Sequence, residues 1–115
     1  MIAYILVGLG GILGSLSRYE VGVCLAKTNT KSFPFPTFII NVVGALLLGY
    51  VSTFQNNQSI YLLFGDGFLG AFTTFSTFMY EGFNLFQNNK KINAFTYISL
   101  SLLLGMLFFY IGILL

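Results

Sequence analysis

The 115-residue chain is 57% hydrophobic and 7% charged, with a net charge of +2 and no histidine. With a mean hydropathy of +0.87, this composition lies outside the range of ordinary soluble domains, and its five Lys and Arg are too sparse for a nucleic-acid surface. Cys24 is the single cysteine, so there is no internal disulfide, and the absence of His removes a zinc centre and histidine acid–base chemistry.

An apolar helix of about 20 residues crosses roughly 30 Å of hydrocarbon, so the chain has length for about four crossings and no separate soluble domain. Apolar runs cover about 2–26, 38–54, 60–86 and 94–115, which predicts an all-α membrane protein, one transmembrane domain over 1–115 with four spans. Met1-Ile2-Ala3-Tyr4 opens without Lys or Arg, unlike a signal peptide, so the first run reads as a retained span. The links at 27–36, 55–59 and 87–93 are polar or proline-bearing and too short to hold an active site. No nucleophile–base or metal constellation is present, so an enzyme is not expected.

In the first run Gly10, Gly14 and Arg18 recur at i, i+4 and i+8 on one face. Small residues there allow close helix packing, and a cation inside the membrane implies a partner or a water-filled cavity. In the second run Asn41 stands among branched aliphatics and must hydrogen-bond; interhelical glue and pore lining both satisfy that. The third run is dense in glycine, threonine and hydroxyls from Gly65 to Phe78. Helix propensity dips there, which predicts a break at the centre of the third span, with two half-helices aiming opposed dipole ends into the membrane. Phe75 and Phe78, at i and i+3, share a face, and their electropositive ring edges suit a small anion partly desolvated by the hydroxyls of Ser76 and Thr77. In the fourth run Tyr97 and Ser101, at i and i+4, form one hydroxyl stripe.

Together, Gly10-Gly11-x-x-Gly14-x-x-x-Arg18-Tyr19, Asn41-Val-Val-Gly44 and Gly67-Phe-x-Gly-x-x-Thr-Thr-Phe-Ser-Thr-Phe78, with Glu81 three residues on, resemble the Fluc fluoride channels, also called the CrcB family. The likeness runs through essentially the whole chain. It implies a fluoride-selective passive channel in the bacterial cell membrane, multi-pass, that exports cytoplasmic fluoride and confers fluoride resistance. It also implies an antiparallel, dual-topology assembly of two four-helix subunits with two fluoride pathways along their interface. By that resemblance Asn41, Phe75, Ser76, Thr77, Phe78, Tyr97 and Ser101 line the pathway and Arg18 and Glu81 support its vestibule. The carbonyls of Gly70 and Thr73 would hold a structural Na+ at the dimer centre. A passive channel needs no energy-coupling machinery, and the chain has neither a nucleotide-binding motif nor a proton-relay pair of carboxylates. The alternative, a small multidrug-type proton-coupled exporter, needs a membrane-embedded carboxylate, whereas Glu20 lies two residues from Arg18 toward the end of its span.

With four spans, Lys27, Lys31, Lys90 and Lys91 fall on one side of the membrane, and the N-terminus, the 55–59 loop and the C-terminus on the other. Four Lys against none predicts that the Lys loops face the cytoplasm in one fixed orientation. A chain with such a bias favours an oppositely inserted homologue as its second subunit over a second copy of itself.

Overall fold

In the computed structural model, residues 1–28, 33–54 and 56–115 are described; Lys31 and Gln55 of the loops above lie outside them. Among these residues every regular element is helical. Helix α1 runs Ile2–Cys24 and closes in a 3-10 turn at Ala26–Thr28. Helix α2 runs Phe35–Ser52, three residues ahead of the apolar run, because Pro34 caps it and Pro36 sits in its first turn. There the missing N–H costs nothing and the fixed φ favours helix.

The third apolar run divides. Helix α3 occupies 58–72 and α4 Ser76–Gln87, and Thr73, Thr74 and Phe75 join them. In α3 the Asn57 side chain accepts the Ile60 N–H at 3.3 Å, and Tyr61–Leu69 winds as a π-helix whose last turn is closed by a bond from the Gly70 N–H to Gly65 O. Helix α5, Lys91–Leu114, completes the chain. By length and composition α1, α2 and α5 can cross a membrane. The 12-residue α4 is only about 18 Å long. Instead of a fourth uninterrupted span, the chain has two half-length helices set end to end across a break.

Two seams of main-chain contact hold the bundle. On α1, a Cβ at Gly10 would strike Leu63 O and one at Gly14 would strike Phe68 O; from α3, a Cβ at Gly67 would lie 2.7 Å from Val7 O. On the other side, a Cβ at Gly49 would strike Phe109 O, and one at Gly112 would strike Leu46 O, so α2 and α5 meet the same way. Close backbone approach maximises dispersion where lipid offers no hydrophobic drive between helices.

Helix α4 turns back onto α5 through Asn88–Lys90. Asn89 takes φ 62°, and the Lys90 N–H reaches Leu85 O at 2.9 Å, the paired-turn ending that satisfies orphan helix carbonyls. The Phe33 and Tyr97 rings meet edge-on at 5.3 Å, which brings the start of α2 beside the start of α5 and gathers Lys27, Lys90 and Lys91 toward one end. Phe78, Leu85, Ala94 and Tyr97 form one buried cluster, and Ile40, Leu69 and Phe72 another. Outward-facing Ile2, Leu103, Met106 and Leu114 leave the exterior apolar, which is a surface suited to lipid.

Candidate functional site

The site grows out of the break. Thr73 is extended (ψ 160°), and its hydroxyl bonds back to Leu69 O at 2.9 Å. Thr74 is held by Asn41 of α2 through both main-chain groups: its N–H donates to Asn41 Oδ1 at 3.0 Å, and its carbonyl accepts from Asn41 Nδ2 at 2.9 Å. Only this amide orientation matches donor to acceptor at both ends. The Thr77 N–H, an orphan of the first turn of α4, donates to Thr74 Oγ1 at 3.3 Å. In a continuous helix the Thr74 and Thr77 N–H groups would donate to Gly70 O and Thr73 O. Their diversion to Asn41 and to the Thr74 hydroxyl deprives those two carbonyls of their helical donors at the C-terminal dipole end of α3. A groove of about 650 Å³ carries both residues, with Asn41, Gly44, Asp66 and Leu69 among its walls. Gly44 is required there because a Cβ would strike the Thr73 methyl.

A second cavity at the break, of about 250 Å³, is lined by Asn41, Thr73, Thr74, Phe75, Phe78, Ser101 and Leu102. Ser101 Oγ is buried and has no hydrogen-bond partner among the described residues. One of the two Asn41 amide hydrogens goes to the Thr74 carbonyl, which leaves the second N–H, among the described residues, as a free donor. The Phe75 and Phe78 rings stand 6.2 Å apart, but they divide the space between them. Phe78 is 6% exposed and packs on Tyr97, whereas Phe75 precedes the first residue of α4 and is 73% exposed. Ser76 and Thr77 are exposed on the first turn of α4.

Tyr97 and Ser101 share a face of α5 but separate in function. Tyr97 is wholly buried, and its hydroxyl donates to Glu81 Oε1 at 3.5 Å. Thr37 of α2 lies close enough for its hydroxyl to interact with the Glu81 carboxylate. This three-helix polar knot ties α4 to α2 and α5 within the Phe78–Leu85–Ala94 core. Arg18 lies apart, six residues before the end of α1, in an open groove of about 440 Å³ with Tyr19, Thr37, Thr74 and Thr77. Among the described residues no carboxylate pairs with it, and it lines the groove.

Thr74 and Thr37 were not singled out from the sequence. For Thr37 a signal exists: with Asn41 and Gly44 it falls at i, i+4 and i+7, one polar stripe on an otherwise aliphatic α2. Thr74 is hidden inside a threonine pair whose two members have the same composition and opposite duties.

The profile of the CrcB-like protein (Camphor Resistance) family matches residues 5–113. The chain belongs to the CrcB family. It is 51% identical over 109 residues to a protein of Clostridium acetobutylicum named Fluoride-specific ion channel FluC 2, covering 95% of this chain and 93% of that one. A Bacillus cereus protein of the same name is 40% identical over 112 residues, covering 97% and 95%. A Dehalococcoides mccartyi protein named Fluoride-specific ion channel FluC is 41% identical over 113 residues, covering 94% and 87%. With its three membrane-length apolar helices, this family member is an integral membrane protein.

Proposed function

We propose that this chain is a subunit of a passive fluoride channel and not an enzyme, and that it releases fluoride from the bacterial cytoplasm across the cell membrane. The observation that carries this reading is the cavity beside the break. Its lining brings the second Asn41 N–H and the Ser101 hydroxyl together with two aromatic rings. Donors and ring edges together suit a small, strongly hydrated anion. The names of the relatives agree with this.

The exposed Phe75 ring and the open cavity are what a half-site would look like if a second subunit completed the pathway. The four crossings arise if α3 and α4 together make the third, with the break near mid-membrane. The second subunit is then antiparallel to this one, and the Lys bias favours an oppositely inserted homologue over a second copy. At the centre, the Gly70 and Thr73 carbonyls of the two chains are suited to hold Na+, a hard cation that prefers oxygen ligands. Bound there, it would supply the positive charge that two helix C-termini call for. The direct test is fluoride-electrode efflux from liposomes, with the chain reconstituted alone and together with an oppositely oriented relative. Fluoride release that outpaces chloride release in one of the two preparations is expected; no release from either would overturn the reading.

A further inference from the structure

Thr74 lines both the aromatic cavity, with Phe75, Phe78 and Ser101, and the Arg18 groove, with Thr37 and Thr77. Among the described residues no other is common to those two walls. Its hydrogen-bonding capacity is almost fully spoken for. The main-chain N–H and carbonyl go to Asn41, and the hydroxyl oxygen accepts the Thr77 N–H. Its one remaining donor is the hydroxyl hydrogen, which finds no acceptor among the described residues. The hydroxyl can therefore donate outward while its oxygen caps α4, and the two bonds with Asn41 fix the backbone that carries it.

We propose that Thr74 is a further anion-binding residue, the hand-off point at which fluoride passes between the Arg18 groove and the ring-lined cavity. This rests on the fluoride-channel reading above. An anion leaving the field of the Arg18 guanidinium must shed water before it reaches the rings, and each lost water has to be replaced by a donor at the threshold. The Thr74 O–H is placed at that threshold, and beyond it the Asn41 N–H and the orphan Ser101 hydroxyl continue the series.

The test compares Thr74→Ser, Thr74→Val and Thr74→Asp in the assembly that conducts, by fluoride-electrode efflux from liposomes, with assembly checked by size-exclusion chromatography. Ser keeps both the cap and the donor. Val keeps the shape and loses both. Asp keeps an acceptor for the Thr77 N–H and has no donor when ionised. Flux within about twofold of the unsubstituted channel is expected for Ser, and a loss of about tenfold or more for Val and for Asp, the scale of one lost hydrogen bond to an ion. Should Val fail to assemble, Thr74→Ala takes its place with the same expectation. Unchanged flux in Val or Ala, or in Asp, overturns the proposal; the Asp result in particular would reduce Thr74 to a helix cap. If the unsubstituted assembly releases no fluoride, the channel reading itself fails, a result distinct from a conducting channel that is indifferent to position 74.

Discussion

Replacing Asn41 by leucine removes an amide of similar volume and strands both main-chain groups of Thr74. Each of the two bonds, at 2.9 and 3.0 Å, is worth about 1–1.5 kcal/mol net in a partly buried setting, so the substitution should cost about 2–3 kcal/mol. Extra apolar area from Leu recovers little, because the side chain would face the cavity and not a packed core. A loss of that size lowers the folded-to-unfolded ratio about 30- to 140-fold. It is measurable as an earlier unfolding midpoint when the detergent-solubilised protein is titrated with a denaturing detergent. Asn41→Asp separates the two bonds: its carboxylate still accepts the Thr74 N–H but opposes the Thr74 carbonyl and brings negative charge to the cavity. It should therefore lose more flux than stability. An Asn41→Leu channel that unfolds at the parental midpoint and conducts fluoride normally would refute the claim that this amide holds the break.

The paired rings offer a second test. Phe75→Ile and Phe78→Ile should both nearly abolish fluoride efflux from liposomes, because an aliphatic side chain has no electropositive edge. Only Phe78→Ile, which loses its packing on Tyr97 in a 6%-exposed site, should also lower thermal stability, by about 1–2 kcal/mol. Gly14→Ala should destabilise the detergent-solubilised protein by about 1–3 kcal/mol through overpacking against Phe68 O. Gly105→Ala, with nothing within 4 Å of its Cβ, should leave it unchanged or slightly more stable. With Cys24 removed, single cysteines at Asn57 and Asn89 in intact cells should label from outside at Asn57 only; equal labelling of both would remove the fixed-orientation argument.

Hydropathy located α1, α2 and α5 because each is a long apolar run. The break was legible as well, since glycine and β-branched threonine crowd one window. The π-helical winding of Tyr61–Leu69 was not legible: no residue type encodes an i→i+5 bond, and the same glycines serve an ordinary helix equally well. The sequence placed Asn41 as either glue or lining. In the structure its oxygen is tied to Thr74 while the residue borders the cavity, a combination that depends on which main-chain group lies opposite it 33 positions away. Spacing put Phe75 and Phe78 on one face, and their rings are indeed neighbours. Their burial diverges because Phe75 lies outside the helix that carries Phe78. Likewise, the stripe of Tyr97 and Ser101 could not reveal that the longer side chain turns into the core toward Glu81.

The glycine seams have a genetic consequence. At Gly14 the obstacle to a side chain is the Phe68 carbonyl, an atom that every amino acid carries, so no change at position 68 makes room for alanine. Positions 63 and 68 can thus drift in side chain without loosening the α1–α3 seam, while positions 10 and 14 have no second-site suppressor within it. Gly44 is different in kind. Its obstacle is the methyl of Thr73, which serine lacks. Gly44→Ala is thus a defect that Thr73→Ser can suppress, and a suppressor screen started from each glycine variant would return only revertants to glycine at Gly10 and Gly14 but a compensating partner at Gly44.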